Sequence, residues 1–390
     1  AVRSALFVKV AQHATNDPAE QLKLAPQNER AAGWENFRYA SLLDLARECL
    51  LADGVNCRGW SGDDVAIAAL GGHPTALGHR ATWAYNTSSF AGLSRDAVNR
   101  SMLNGYRERP SSWRLVFRTA PSVPNFKDIH RLQIGTTGAA PVWPDNSPIT
   151  ELPLGGGEVT YAIEAYAGKR SFSWKAIVNN DLDLISRTPF QLGRTMDRTV
   201  NKAAWMQIIK NPLMPDGQTL FLETPAGNRP SSNYTVGATA PTTAVIGAMA
   251  AKMALVKGLP DEEGNAPDDV LAVAPKFIAV PVALGTTTDQ LVKSAFDPAG
   301  GASQVYNTAS NLIPVSEPLL DFYGSATAFY LLADPADVDT VEVTFLEGHE
   351  EPKITMHTDP ETYALVYSAV QAFGAKVVDW RGIQKHKGAA

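Results

Sequence analysis

The segment Lys169–Asn211 joins a strand-like run to an unusually long helical pattern, and it restricts the possible folds more than any other stretch. Thr188 has the character of an N-cap residue, and Pro189 takes the first helical position, where a missing N–H group costs nothing. The pattern continues to Lys210, and an Asn-Pro pair then ends it. We therefore predict a helix over residues 189–210, about 33 Å long.

The predicted helix has a narrow apolar face. That face carries Leu192, Met196, Val200, Ala203 and Gln207. Charged and polar residues gather elsewhere on the helix, namely Arg194, Asp197, Arg198, Asn201 and Lys202. A helix with so narrow an apolar stripe is expected to lie on a sheet rather than inside a core. Taken alone, the segment is best interpreted as an ordinary long helix of an α+β enzyme.

Length and charge set broad limits on the class of protein. A chain of 390 residues can bury a large core and is expected to form two or more lobes. Its 34 Lys and Arg residues are outnumbered by 40 Asp and Glu residues, which gives a net charge of -6. The chain as a whole therefore lacks the basic footprint of a protein whose affinity comes from neutralising phosphates.

Cysteine spacing and apolar runs narrow the class further. Cys49 and Cys57 fit neither a redox CxxC pair nor a zinc knuckle, so we expect two reduced thiols. The best apolar runs, 244–256 and 271–284, are short and are interrupted by Lys and Pro residues. The sequence therefore predicts no membrane span.

The sequence contains no familiar catalytic or nucleotide-binding motif. Its 7 His residues include no HExxH motif and no i, i+4 pair, and there is no GxSxG elbow and no Walker lysine. Gly155–Gly157 has no predicted helix behind it to present amide groups to a phosphate. We therefore predict no catalytic residues, no cofactor-binding residues, no metal ligands and no cofactor.

Two acidic groups come closest to a site. His349 and His357 flank a turn that could bind a divalent metal, although a solvated turn between two strands is the favoured interpretation. The carboxylates of this turn are Glu347, Glu350 and Glu351. Asp181 and Asp183 alternate as paired catalytic carboxylates do, but they directly precede the predicted helix. Turn formation and the helix dipole explain them better.

Local patterns predict further elements. Helices are predicted over residues 42–52, from Ser61 to Gly71, from Ser94 to Gly105, and over 244–257 and 284–296. Strands are predicted over residues 158–165, 277–280, 312–315, 328–332, 338–346, 363–371 and 375–380. Residues 133–168 are rich in Gly and Pro and predict a long two-stranded excursion. A free hairpin of that length is marginal in water, so it needs a surface to lie on.

Four separated segments carry a further signal. They are residues 86–118 (NTSSFAGLSRDAVNRSMLNGYRERPSSWRLVFR), 169–211, 329–354 (FYLLADPADVDTVEVTFLEGHEEPKI) and 373–386 (FGAKVVDWRGIQKH). In their amino-acid sequences and in their order along the chain, they resemble the major capsid proteins of tailed phages, specifically the Mu-like major head subunit group of the Hong Kong 97-type fold. Trp174-Lys175 and Asn180 depart from the Thr-Arg pair and second Asp of that pattern, without putting a fold element in doubt.

The resemblance implies an α+β chain with the Hong Kong 97-type capsid fold. It implies an N-terminal arm with short helices over residues 1–85, the first part of a peripheral domain over 86–132, an extended loop (β-hairpin) over 133–170, the peripheral domain with spine helix 189–210 over 171–235, an axial domain over 236–335, and return strands to the peripheral domain over 336–390. Since a prohead protease commonly trims this family, the resemblance also implies that Ala1 is a processed end.

The function implied by the resemblance is that of a major capsid protein. It would self-assemble as hexamers and pentamers into the icosahedral head of a tailed bacteriophage enclosing double-stranded DNA. The implied partners are further copies of the chain, a portal protein at one vertex, a cement or decoration protein where one is present, and packaged double-stranded DNA in weak, non-specific contact, with no membrane. The implied location is the virion, after assembly in the bacterial host cytoplasm.

Two other classes remain open. An encapsulin-like compartment shell would package enzymes and would need a groove for a cargo peptide on its inner side. An unrecognised α/β enzyme would need a concave pocket with convergent polar groups. Separately, some relatives cross-link their shells through a lysine on the extended loop, whereas residues 138–168 contain no Lys or Arg. We therefore expect this shell not to be cross-linked in that way.

Overall fold

The structure is a computed structural model that mixes helices and strands, which confirms the α+β class. It describes residues 8, 40–69, 89–108, 111–134, 142–143, 145, 148–149, 156–172, 175, 179, 182–227, 229–259, 270–298, 306–359 and 364–389. The predicted arm before residue 40, apart from Val8, lies outside the described residues. Most of the predicted loop between residues 135 and 155 lies outside them as well.

The helices and strands have the following bounds. The helices are α1 Leu42–Ala52, α2 Gly62–Ala69, α3 Ser89–Arg107, α4 Trp113–Val116, α5 Leu182–Ile209, α6 Thr243–Ala254, α7 Val282–Lys293 and α8 Pro318–Tyr323. The strands are β1 Arg118–Thr119, β2 Ile129–Ile134, β3 Gly156–Tyr161, β4 Glu164–Phe172, β5 Tyr234–Thr235, β6 Pro275–Val280, β7 Ile313–Ser316, β8 Phe329–Ala333, β9 Val341–Phe345, β10 Lys353–Thr358, β11 Leu365–Val377 and β12 Ile383–His386.

The first of two compact units comprises residues 1–110, 165–199 and 348–372. Its helix α1 begins with a capping box, in which Ser41 Oγ accepts from Asp44 N–H at 3.1 Å and the Asp44 carboxylate accepts from Ser41 N–H at 3.0 Å. Helices α1, α2 and α3 bury their apolar faces in one core together with the start of β11. Strand β10 pairs antiparallel with β11, Lys353 lying opposite Val370.

Glycines allow α3 and the first half of α5 to approach very closely in this unit. A Cβ on Gly105 would lie 2.1 Å from the carbonyl oxygen of Phe190, and a Cβ on Gly193 would lie 2.1 Å from that of Met102. Any larger residue would force the two backbones apart. The space around the crossing is filled by Met102, Tyr106, Leu192, Met196 and Ala369.

The second unit comprises residues 111–164, 200–347 and 373–390 and contains three sheet regions. Strands β2 and β3 form an antiparallel two-stranded sheet. Strand β9 pairs antiparallel with the end of β11 and parallel with β1. The third sheet has the order β5-β12-β8-β6-β7, and α6 and α7 share a buried core with its strands β6 and β8.

The long helix differs from its predicted bounds. It spans Leu182–Ile209, and Pro189 lies inside it rather than at its first position, so the predicted start is wrong. Proline in a helix interior removes one hydrogen bond and costs about 3 kcal/mol. Burial compensates for this cost, since Pro189 and Phe190 are both buried.

Three further bounds also differ from prediction. Helix α3 begins at Ser89, so Ser94 lies within the helix and does not cap it. The two predicted return strands are one strand, β11, which continues through Gly374. A Cβ on this glycine would lie 2.7 Å from the carbonyl oxygen of Ala162, so the residue provides room for close backbone approach and does not mark a turn. Strand β12 was not predicted.

Candidate functional site

The hairpin formed by β2 and β3 is the first candidate contact surface. The strands pair from Ile129 opposite Tyr161 to Ile134 opposite Gly156, and residues 135–155, which we call the tip, connect them along the chain. Among the described residues of the tip, Val142 is 92% exposed and Ile149 is 84% exposed. Large apolar side chains left in water at such a tip favour contact with a partner surface.

A buried polar cluster anchors the base of the hairpin. Arg131 Nε donates to Glu342 Oε1 at 2.6 Å, and Tyr161 Oη–H donates to the same oxygen at 2.5 Å. Glu342 lies on β9 and is only 2% exposed. Tyr161 also contacts the hydroxyl of Thr344 at 2.5 Å. The carboxylate of Glu342 thus joins both strands of the hairpin to the adjoining sheet.

The electrostatics of this cluster favour the charged ion pair. Burial raises the pKa of the Tyr161 hydroxyl, and its hydrogen bond to Glu342 raises that pKa further. Burial alone would lower the pKa of Arg131, but the hydrogen bond and charge of Glu342 outweigh it, and the pKa is raised. Tyr161 therefore remains a neutral donor, and Arg131 remains a cation.

A second contact fixes the β2 strand from its other end. The side-chain amide of Gln133 donates to the carbonyl oxygen of Val378, and Gln133 is buried. Gly157 on β3 leaves room for that side chain, since a Cβ there would lie 2.9 Å from Gln133 Oε1. The hairpin is therefore held firmly at its base, whereas the described residues of its tip are solvent-exposed.

Polar contacts also hold the second half of α5 within the second unit. Trp205 Nε1–H donates to Ser112 Oγ at 2.9 Å, and the Trp113 N–H donates to Asn201 Oδ1 at 3.3 Å. Ser112 Oγ and Asn201 Nδ2 both donate to the buried carboxylate of Glu317, just before α8. One helix face is therefore fixed to α4 and α8 by buried and half-buried groups.

Exposed apolar residues also occur around the third sheet of the second unit. They are Leu255, Val282, Phe296, Tyr306, Ile313, Phe322 and Tyr323. Phe296 and Tyr306 form a β-bridge with each other, and Lys202 Nζ donates to Tyr323 Oη at 2.7 Å. These residues come from loops, helix ends and the start of β7, and we treat them as the second candidate contact surface.

In the structure, carboxylates of the acidic turn that was considered as a metal site accept hydrogen bonds from other protein groups. Glu351 Oε1 accepts from Arg107 Nε at 2.8 Å, and Glu350 Oε1 accepts from the Gly348 N–H at 3.2 Å. His357 lies on β10, opposite Val366. Among the residues that the structure describes, no group of three or more His, Cys, Asp or Glu side chains could hold a metal ion.

The remaining candidates from the sequence are a pair of aspartates and two cysteines. Asp183 lies in the first turn of α5, and Asp181 lies outside the described residues. Cys49 and Cys57 are buried and form no disulfide with each other. Within the described part of the chain, no helix is long and apolar enough to cross a membrane.

An open cleft in the second unit has a volume of about 740 Å³. Its lining includes Gln133, Asp339, Asp379 and Arg381. Arg381 Nε donates to both oxygens of Asp379 at 3.0 and 2.9 Å, so these charges pair with each other. The paired charges resemble structural support more than a nucleophile with its base.

Sequence reasoning missed the residues that anchor the hairpin. Glu342 lies in the run Val341–Phe345, where every residue is buried, so a charged residue there could have indicated a buried partner. The identity of that partner was not readable, because Arg131 and Tyr161 are both more than 180 residues away in sequence.

A family model described as phage capsid protein matches residues 157–386. No curated protein matches the sequence. Among solved structures, the capsid of a native GTA particle is similar at 11% identity, covering 72% of this chain and 91% of that chain, with a TM-score of 0.48.

Two further solved structures show the range of the similarity. The capsid of Ralstonia phage GP4 is 12% identical, with coverage of 71% of this chain and 91% of that chain and a TM-score of 0.46. A virus-like particle from Pyrococcus furiosus is 8% identical, with coverage of 74% of this chain and 98% of that chain and a TM-score of 0.40.

Proposed function

The chain belongs to the phage capsid protein family, and we propose that its hairpin, its long helix and its third sheet supply the contacts of a closed shell. The matched region, residues 157–386, begins in β3 and ends at the last residue of β12. The chain is a major capsid protein that forms the shell of a phage head, and its place is the virion. The predicted recognition of a tailed-phage major capsid protein is thereby confirmed.

The proposed shell is icosahedral and is built from homo-hexamers and homo-pentamers. The hairpin of one subunit would overlap its neighbour, and the observation that carries this is its firmly anchored base beneath an apolar, exposed tip. An isolated two-stranded sheet is only marginally stable in water because nothing covers its faces. A neighbouring subunit would cover the hairpin in the shell. Head-to-tail contacts of this kind close into rings.

We assign the domains as the family pattern implies. Residues 1–85 would be the arm, 133–170 the extended loop and 236–335 the axial domain. The peripheral domain would comprise 86–132 and 171–235 and the return strands of 336–390. The buried cluster shared by α6, α7, β6 and β8 supports an axial domain with its own core. The exposed aromatic residues Phe296 and Tyr306 near it would meet their symmetry mates.

The remaining partners are also proposals. They are a portal protein at one vertex, a cement or decoration protein where one is present, and double-stranded DNA held by weak, non-specific contact. Assembly would take place in the cytoplasm of the bacterial host. The capsid family points to a structural protein, and we propose that the chain has no catalytic activity. The pairing of Arg381 with Asp379 in the 740 Å³ cleft supports this.

Negative-stain electron microscopy of the purified protein, with the absorbance ratio at 260 and 280 nm, tests the proposal. We expect uniform icosahedral shells, with nucleic acid inside when they are isolated from infected or lysogenic cells. Shells that hold proteins instead of nucleic acid would favour an encapsulin-like compartment. A dispersed monomer or dimer at assembly concentrations would contradict the shell and return attention to an enzyme.

Denaturing electrophoresis of the same particles tests the loop chemistry. Because residues 138–168 contain no Lys or Arg, we expect one band at the monomer mass of 41.8 kDa. A ladder of covalent oligomers would contradict this expectation. Lys169, at the edge of the segment, would then be the residue to replace.

A further inference from the structure

Strand β12 lies inside the third sheet, yet three of its four side chains are polar. It pairs antiparallel with β8 over four residues and parallel with β5 over two. Ile383 is its apolar member, and Gln384, Lys385 and His386 follow. All five residues of the neighbouring β8 are buried. Polar side chains in such a place are stable only when other groups compensate for their burial.

Two of these side chains are poorly compensated. Gln384 is 0% exposed, and neither polar atom of its side chain has a hydrogen-bond partner among the described residues. The ammonium group of Lys385 forms no ion pair with any residue in the described part of the chain, and burial lowers its pKa. Its neighbours are three aromatic rings at 5.1 to 5.8 Å, those of Phe221, Tyr234 and Tyr330. The rings attract the charge but accept none of its hydrogen bonds, so the backbone hydrogen bonds of β12 must offset a cost.

His386 fixes the chain that follows β12. Its ring is 2% exposed and stacks on the Phe329 ring at 4.7 Å, and its Nδ1 accepts the Gly388 N–H at 3.0 Å. Gly388 has a φ of +78°, and a Cβ there would collide with the carbonyl oxygen of Thr327. Because Nδ1 can accept only while it carries no proton, the neutral ring keeps residues 383–388 in place.

The charge that acts on His386 is that of a cation. Lys252 on α6 faces the ring, whereas β8 presents an aromatic ring and the chain after β5 presents Gly237. On the strand itself, Lys385 and Lys387 are the flanking residues. Burial, and then the charge of Lys252, lower the pKa of His386 below its usual 6.5. A proton on the ring would therefore place one cation beside another and remove the acceptor at Nδ1.

The turn immediately before β12 is held much more firmly. Arg381 Nε donates to both carboxylate oxygens of Asp379 at 3.0 and 2.9 Å, and both residues are buried. The Val378 N–H donates to the carbonyl oxygen of Thr340 at 2.9 Å. A Cβ on Gly382 would lie 2.6 Å from the hydroxyl oxygen of Thr340, so the turn packs closely. Opening of β12 can therefore stop at Gly382 and leave the rest of the second unit folded.

We propose that β12 is an acid-sensitive latch, in which protonation of His386 releases residues 383–388 from between β5 and β8 while the rest of the second unit stays folded. In the open strand the ring meets water and its pKa returns to the ordinary value, so the open strand binds the proton more readily than the closed one. Opening therefore becomes more favourable as the pH falls below about 6.5, and above that pH the ring is neutral in both states. The latch belongs to the single subunit and does not depend on shell formation.

Hydrogen–deuterium exchange of the full chain, kept below its assembly concentration, measures the opening. Protection factors for residues 383–388 are compared at pH 7.5 and 5.5, after correction for the intrinsic exchange rates. We expect them to fall by up to about tenfold at the lower pH, since the linkage to one proton changes at most tenfold per pH unit below 6.5. Because local opening exposes little surface, low concentrations of urea should hardly change these factors, whereas the protection of β6 should fall with urea.

Substitutions separate the histidine from its surroundings. His386→Asn keeps an acceptor for the Gly388 N–H but cannot take up a proton, so the protection of residues 383–388 should no longer depend on pH. Lys252→Gln lets the pKa of His386 rise towards its usual value, and the fall in protection should become smaller. Lys293→Gln, which removes a lysine that is 70% exposed at the end of α7, is the matched control and should leave the fall unchanged.

Three results would overturn the latch. Protection of residues 383–388 that is equal at the two pH values would show that no proton is linked to opening. Equal protection and equal urea dependence of β12 and β6 would show that the whole unit opens together. A full fall in protection in both His386→Asn and Lys252→Gln would show that another group takes up the proton.

Discussion

Glu342 is the residue on which the base of the hairpin depends. Its carboxylate is 3% exposed and accepts hydrogen bonds from Arg131 and Tyr161, whereas the Arg131 side chain is 32% exposed. Glu342→Ala leaves two donors without their acceptor. We expect the free energy of unfolding to fall by about 2 to 3 kcal/mol, less than for a fully buried pair because Arg131 retains contact with water.

Urea denaturation of the unassembled chain measures this loss. Asp289→Ala is the matched control, because it removes the carboxylate of an exposed pair with Lys293, in which the side chains are 48% and 70% exposed. It should change stability by no more than about 0.5 kcal/mol. Equal effects of the two substitutions would show that burial of Glu342 contributes nothing to the hairpin.

His386 makes stability depend on pH. Its Nδ1 accepts the Gly388 N–H at 3.0 Å, and its ring stacks on Phe329 at 4.7 Å. Burial, and then the charge of Lys252, lower the pKa of His386 below its usual 6.5. The fold therefore favours the neutral ring, and the unfolded chain binds the proton more readily as the pH drops below 6.5.

Because folding lowers the pKa of His386, we expect the folded chain to lose stability as the pH falls. The free energy of unfolding should be unaffected by His386 above its ordinary pKa and should fall below it, by at most about 1.4 kcal/mol per pH unit, until the folded pKa is reached. His386→Asn should reduce the difference in unfolding free energy between pH 7.5 and 5.5. An unchanged difference would remove His386 as a cause.

At the scale of elements, the crossing of α3 and α5 is set by backbone contact. A Cβ on Gly105 would lie 2.1 Å from the carbonyl oxygen of Phe190, and backbone atoms cannot move aside as a side chain can. Gly105→Ala should therefore cost about 2 to 3 kcal/mol and lower the melting temperature.

Gly247→Ala is the control for helix propensity. Gly247 lies in α6, and nothing is within 4 Å of a Cβ placed on it. The substitution should stabilise the chain by up to about 1 kcal/mol, since alanine is the better helix former. If both alanines stabilised the chain, the close approach of α3 and α5 would not be required.

At the scale of the whole molecule, the hairpin tip is expected to matter for assembly and not for folding. The double substitution Val142→Ser and Ile149→Ser removes two exposed apolar side chains, so the unfolding free energy should stay within about 0.5 kcal/mol. If a neighbouring subunit covers these side chains, each contributes about 1.5 to 3 kcal/mol to the contact. The concentration needed for shell formation should therefore rise at least about tenfold.

Light scattering over a concentration series, followed by electron microscopy, measures this shift. Asp145→Ser, at another exposed position of the same loop, changes a polar residue and should leave the threshold unchanged. Shells that form at the parent concentration in the double variant would argue against a hairpin that clasps its neighbour.

Some elements were predictable because their signals are local. The capping box of Ser41 and Asp44 gave the bounds of α1, and the Thr242 side chain caps α6 as its sequence suggested. Pro189 misled the prediction for α5, because the same residue is favourable at a helix start and is tolerated inside a helix when burial compensates for it.

The sequence by itself determined the α+β class, the long helix and the family, since each rests on patterns within a few tens of residues. Only the tertiary structure decided that Gly105 meets Phe190, that Glu342 joins Arg131 to Tyr161, and that the cations of α5 remain on its exposed face. The physical reason is that burial depends on which distant residues come together. In the sequence, a glutamate on a strand and an arginine on a helix are both simply charged residues. Their surroundings alone make one a buried anchor and the other a surface charge.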